Sequence, residues 1–262
     1  MEAVDLVLFI GQSNMAGRGI ASDKWQEEAP AIISFAAYEY KAVSSPGELF
    51  VLREPFGVDE NNPMGINDIF PDGTKAKTGS MVAAFCNAYY QITKTPIVGV
   101  SASKGGSCIA QWQPEAECGY LMDAIDRFLS AKKYLTDSNY TIKRCFAVWF
   151  QGETDGDLGT SKEKYVIGFN SMWKKLCEFI PDLFIIKTGQ CNIEGCYDLY
   201  DGIRMAQDII AAEHSNVNIC SDSFYGMRNR GLMRDAYHYY QQGYNITGSD
   251  AGKNVAAYFT KE

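Results

Sequence analysis

Short apolar runs alternate along the chain with longer segments of helical spacing. Of the runs at residues 5–10, 32–38, 96–102, 144–150, 183–188 and 217–221, most are nearly continuous in Val, Ile, Leu and Phe. Such runs fit strands covered on both faces, because a strand with one wet face would alternate apolar and polar residues. Over 162–180, Tyr165, Phe169, Met172, Leu176 and Phe179 recur at steps of 4, 3, 4 and 3, which makes one apolar helix face. Leu121, Ile125, Phe128 and Leu135 do the same over 120–135. The spacing predicts further helices over 79–92 and 200–213. A last helix is predicted over about 240–259, with Gly243, Gly248 and Gly252 blurring its boundaries.

Strands alternating with helices predict an α/β fold: a mostly parallel sheet of five to six strands with helices on both faces. No repeat, low-complexity run or linker divides the chain, so residues 1–262 read as a single domain. The stretch 44–78 is rich in Gly, Pro, Asn and Asp and lacks periodicity, and it reads as a long surface excursion near a sheet edge. A chain of 262 residues with 46% hydrophobic side chains buries about three quarters of its unfolded surface without a disulfide or metal staple.

Charge narrows the partners. The balance of 24 Lys+Arg against 32 Asp+Glu gives −8, and no basic stripe is visible. Phosphate binding needs clustered cations, so nucleic acid and anionic membrane surfaces are not expected partners. No segment approaches the roughly 18 apolar residues of a membrane helix, and acids precede the short run at 6–10. A cytoplasmic chain, or one whose leader has been removed, is expected. Eight cysteines occur without a Cys-x-x-Cys pair, which argues against zinc. Cys86, Cys145, Cys177 and Cys220 lie in apolar runs and read as buried, reduced thiols. No metal or cofactor is expected.

In open parallel sheets ligands bind beyond the carboxyl ends of the strands. Gly11-Gln12-Ser13-Asn14-Met15 follows the first strand, Ser103-Lys104-Gly105-Gly106-Ser107 the third, and Gln151-Gly152-Glu153-Thr154-Asp155 the fourth; a loop after the last leads to Asp235-Ala236-Tyr237-His238. These contain the parts of a serine hydrolase: nucleophile, oxyanion donors, base and orienting carboxylate. Each part has a plainer reading. Ser13 is either a nucleophile or a helix N-cap. His214, the other of two histidines, ends a helical pattern and reads as a group near a helix terminus, which leaves His238 as the candidate base. Asp235, three residues before it, either orients the imidazole or makes a surface turn. The amide of Gln151 aims at an oxyanion or closes its loop. Glu153 and Asp155 are an acid/base pair or helix-capping groups.

Together the four blocks resemble a family. Residues 9–19, Phe9-Ile10-Gly11-Gln12-Ser13-Asn14-Met15-Ala16-Gly17-Arg18-Gly19, look like the first block of the SGNH hydrolase superfamily. They resemble in particular its sialate O-acetylesterase-like branch, which includes the acetylxylan esterases of carbohydrate esterase family six. Gly105-Gly106-Ser107-Cys108-Ile109 with Trp112 resembles that branch's glycine block, Gln151-Gly152-Glu153 its third block and Asp235-Ala236-Tyr237-His238-Tyr239 its last. The resemblance implies a flavodoxin-like three-layer α/β/α fold and metal-free removal of O-acetyl groups from carbohydrates. It implies Ser13 as nucleophile, His238 as base, Asp235 as its orienter, and the Ser13 backbone, Gly106 or Gly105, and Gln151 as oxyanion donors. Gln12, Asn14 and Glu153 take supporting roles, and the partner is an acetylated carbohydrate. Among the aromatics near the motifs, Trp112 and Tyr239 are the expected sugar contacts and Tyr237 a further candidate, while Trp149 reads as core. The competing readings are a serine esterase or thioesterase of another acyl specificity, a non-catalytic carbohydrate-binding protein, and a flavodoxin-type nucleotide binder. The last lacks a phosphate-binding glycine pattern after the first strand.

Overall fold

The computed structural model describes residues 2–19, 37–58, 60 and 79–261. Seven strands form one sheet: β1 (Ala3–Gly11), β2 (Ala37–Tyr40), β3 (Leu49–Val51), β4 (Ile97–Ser103), β5 (Thr141–Phe150), β6 (Asp182–Ile186) and β7 (Val217–Ser221). Their order is β3-β2-β4-β1-β5-β6-β7. Every pairing is parallel except that of β2 with β3.

The sheet therefore has more strands than the five to six the sequence predicts. The extra one, β3, has three residues and sits inside the stretch read as a surface excursion. No hydrophobic run marks it, because it pairs with β2 alone over three residues and remains half-exposed. Just beyond it the chain turns inward: Leu52 and Phe56 are buried against the sheet. The run at 32–38 reaches the sheet through its last residues, and its earlier part lies outside the described residues.

The helices are α1 (Ser13–Ala16), α2 (Val82–Thr93), α3 (Tyr120–Asp137), α4 (Glu153–Asp157), α5 (Lys162–Leu176), α6 (Asp201–Glu213) and α7 (Gln241–Thr260). Alternation along β1 divides the core. Val4, Leu6, Leu8 and Ile10 face one layer, made of α3, α5 and α6. Val7 and Phe9 face the other, made of α2 and α7. The predicted periodicities fall on these buried faces. Helix α5 ends at Leu176 rather than at 180, in keeping with Pro181, which disfavours helix in the residue before it.

The glycines that blur α7 in the sequence have a packing reason. A Cβ on Gly248 would lie 2.2 Å from the Met81 carbonyl oxygen, and one on Gly252 would lie 2.3 Å from that of Phe85. One turn apart on one face, they let α7 cross the backbone of α2 closely, and this outweighs their poor helix propensity. Among the described residues no helix is long and apolar enough to cross a membrane. All eight cysteines are free; Cys86 and Cys220 are buried as expected, whereas Cys145 is half-buried and Cys177 is exposed just past α5.

Candidate active site

The sheet order puts β1 between β4 and β5, in register at their carboxyl ends, where Gly11 pairs with Ser103 on one side and Phe150 on the other. The chain continues this order past the strands: Lys104 N–H donates to the Gly11 carbonyl (2.8 Å) and Gln12 N–H to that of Phe150 (3.0 Å). Three of the four motif loops are thereby fastened side by side. Gly11 has φ +148°, and a Cβ there would stand 2.1 Å from the Phe150 oxygen, so only glycine permits this crowding.

Ser13 opens α1 at the end of that turn and is 8% exposed. As the first residue of a helical turn, its N–H has no acceptor within the helix. The fourth loop arrives between β7 and α7. The Asp235 Oδ1 accepts the backbone N–H groups of Tyr237 and His238 (2.8 Å each), closing a tight Asx-type turn. The same carboxylate reaches His238 Nδ1 at 3.0 and 3.1 Å. On the other side of the ring, Nε2 lies 3.0 Å from Ser13 Oγ. Burial works to raise the Asp235 carboxyl, but the hydrogen bonds from the imidazole and the two backbone N–H groups hold it well below the usual carboxylate range.

Beneath this line a buried polar group locks the loops together. Asn14 Nδ2 donates to Glu153 Oε1 (2.6 Å) and to the Tyr237 carbonyl (3.0 Å), and its Oδ1 accepts from the Tyr244 hydroxyl (2.6 Å). Gln12 Oε1 accepts from Gly152 N–H (3.1 Å). Glu153 is 2% exposed and its Oε2 has no partner among the described residues. Burial pushes its carboxyl up to about 7, against the lowering effect of Asn14 and nearby His238.

A cavity of about 390 Å³ opens above these groups, walled by Ser13, His238, Gly105, Gly106, Tyr237 and Asp157 among others. Gly106 has φ +67° with open space where a Cβ would be, so its place in the turn is conformational rather than steric. Among the described residues no group of three or more His, Cys, Asp or Glu side chains could hold a metal.

Three expected contacts are corrected. Gln151 is wholly buried under the cavity: its Nε2 donates to the Ser107 carbonyl (2.9 Å) and Asp155 Oδ2 (2.6 Å), and its Oε1 accepts from Tyr165 (3.0 Å). Both amide hydrogens are occupied, so the side chain closes its loop and has none to give an oxyanion. Trp112 is 1% exposed; its indole N–H donates to Ser107 Oγ (2.9 Å) and its ring meets Trp149 edge-on. Tyr239, also 1% exposed, stacks on Phe224 with centroids 4.1 Å apart. Neither lines this cavity. Asp155 is likewise structural, accepting the Ile109 N–H (2.8 Å). His214 ends α6, bonded to Asn170 (2.9 Å). Lys104 and Asp157, which carried no separate signal, also line the cavity because they flank the glycine and Gln-Gly-Glu blocks.

The fold, a mostly parallel seven-stranded sheet flanked by helices, is that of SGNH-like esterases. Residues 3–253 match the family described as carbohydrate esterase, sialic acid-specific acetylesterase, and the chain belongs to that family. The fold is shared across 98% of both chains with a protein from Arabidopsis thaliana, at 21% identity and a TM-score of 0.70. It is shared with NanS at 14% identity and a TM-score of 0.61, again over 98% of both chains. Axe2, an acetylxylan esterase from Geobacillus stearothermophilus, matches at 12% identity and a TM-score of 0.56, covering 97% of this chain and 95% of its own. No curated protein matches the chain significantly.

Proposed function

We propose that the protein is a carbohydrate O-acetylesterase that works through an acetyl-serine intermediate. The observation that carries this reading is the unbroken hydrogen-bonded line Asp235–His238–Ser13 at the floor of an open cavity. Family membership supplies the substrate class.

The imidazole, held at Nδ1 by Asp235, takes the Ser13 proton at Nε2 as Oγ attacks the acetyl carbonyl carbon. The C=O electron pair moves onto oxygen, which the Ser13 backbone N–H and an N–H of the Gly105–Gly106 turn stabilise. Collapse expels the sugar oxygen, which takes the proton from His238. Water then attacks the acetyl-serine with the same base, releasing acetate and restoring Oγ–H. Asp235 stays ionised throughout and stabilises the imidazolium formed in each half.

The test is acetate release from acetylated xylo-oligosaccharides and from O-acetyl sialic acid by wild type and Ser13→Ala. Acetate from at least one sugar, lost in Ser13→Ala, is expected. No release from either, or a clear preference for octanoyl over acetyl esters, overturns the reading.

A further inference from the structure

We infer that Tyr237 and Asp157 form the subsite that grips the sugar ring, and so set the preference for acetylated carbohydrate over simple acetate esters. The inference rests on the proposed esterase reading.

The aromatic side chains beside the motifs divide sharply by exposure. Trp112 and Tyr239 are 1% exposed, whereas Tyr237 is 36% exposed and walls the cavity. Its backbone is pinned on both sides, through its N–H to Asp235 (2.8 Å) and through its carbonyl to Asn14 (3.0 Å). The ring stands 6.3 Å from the His238 imidazole at an interplanar angle of 77°. A rigid, half-open aromatic face beside the proton-transfer line suits the apolar C–H face of a pyranose, which loses little entropy on binding such a platform.

Asp157 supplies the polar half. It ends α4 on the same cavity wall, and its Oδ1 accepts from the hydroxyl of buried Tyr200 (3.1 Å). That bond fixes the carboxylate and leaves Oδ2 to accept sugar hydroxyls. It stands close enough to Tyr237 to push that phenol up. Neither side chain hydrogen-bonds to Ser13, His238 or Asp235, so the acyl-transfer line does not require them. Binding made away from the reacting carbon positions the ester for attack, and a site built to bond hydroxyls discriminates against substrates that lack them.

The experiment compares kcat/KM for acetylated xylo-oligosaccharides with that for p-nitrophenyl acetate in wild type, Tyr237→Ala, Tyr237→Phe and Asp157→Asn. The sugar-to-aryl ratio is expected to fall about tenfold in Tyr237→Ala and in Asp157→Asn, chiefly through KM, with the ratio restored in Tyr237→Phe. A ratio within about twofold of wild type in both variants overturns the inference, including the case where both activities fall together because the His238 loop has moved. If Tyr237→Ala does not fold, Asp157→Asn decides alone. A wild type that turns over the aryl ester but no acetylated sugar sinks the carbohydrate reading as well, an outcome visible before any variant is made.

Discussion

His238 Nε2 stands 3.0 Å from Ser13 Oγ, although 225 positions separate the two residues in the chain. The contact is assembled from two independent turns. One is forced by Gly11 at the end of the central strand, and the other is closed by Asp235 on its own loop. Asn14 spans them by holding the Tyr237 carbonyl.

If that pair performs the chemistry, either half removed alone is as damaging as both. Ser13→Ala and His238→Ala are each expected to lower kcat by about 10⁶-fold, and the double variant by no more than that. Acetate release under single-turnover conditions measures it. Additive losses in the double variant would show that the two groups do not act as one unit.

Asp235→Asn probes orientation separately from loop closure. An asparagine Oδ1 still accepts the N–H groups of Tyr237 and His238, so the turn survives. Its amide, however, faces Nδ1 with donors and turns the imidazole to the wrong tautomer. A kcat loss of about 10³- to 10⁴-fold with little change in Tm is expected. Because the Asp235 carboxyl is lowered, the stability it contributes is complete above about pH 4 and is lost as pH falls through its folded value. Thermal melts across the acid range should therefore show a flatter limb in the variant.

Much of this site is legible in the sequence because the sheet does the assembling. Once β1, β4 and β5 are recognised as parallel, the residues after each must share one edge, and Ser13, Gly105–Gly106 and Glu153 do. Side-chain direction is what linear order hides. Trp112 and Tyr239 sit within motif blocks yet point into the core, whereas Tyr237, two positions before Tyr239, faces the cavity. Strand β3 escapes for a different reason: three residues paired with one short neighbour bury too little to leave a hydrophobic signature.

Gln151 distinguishes a loop-closing amide from an oxyanion donor. Removing its side chain takes the Nε2 donor from the Ser107 carbonyl, leaves Asp155 Oδ2 with the Ile109 N–H alone, and removes one acceptor of the Tyr165 hydroxyl. Gln151→Ala is expected to lose about 3 kcal/mol of stability, a fall in Tm of roughly 6–12 °C. The kcat of the folded fraction should fall by less than about tenfold, where a lost oxyanion donor costs about 100- to 1,000-fold. A large kcat loss with Tm unchanged would reverse the assignment.

Glu153 should make the fold weaken as the solution becomes more alkaline. Its carboxyl is pushed up to about 7 from an ordinary 4.5, by burial above all. Between those values the unfolded chain has released a proton that the folded chain still holds. The folded state therefore loses stability as pH rises through that window, by about 3 kcal/mol in all, and loses nothing further above it. Glu153→Gln cannot ionise, and its Oε1 can still accept from Asn14. Relative to wild type, the variant should gain about 3 kcal/mol between pH 4.5 and pH 8 in urea denaturation. A difference that stays flat across this range would mean that Glu153 ionises in the folded protein as readily as in water, with the unpartnered Oε2 reached by solvent.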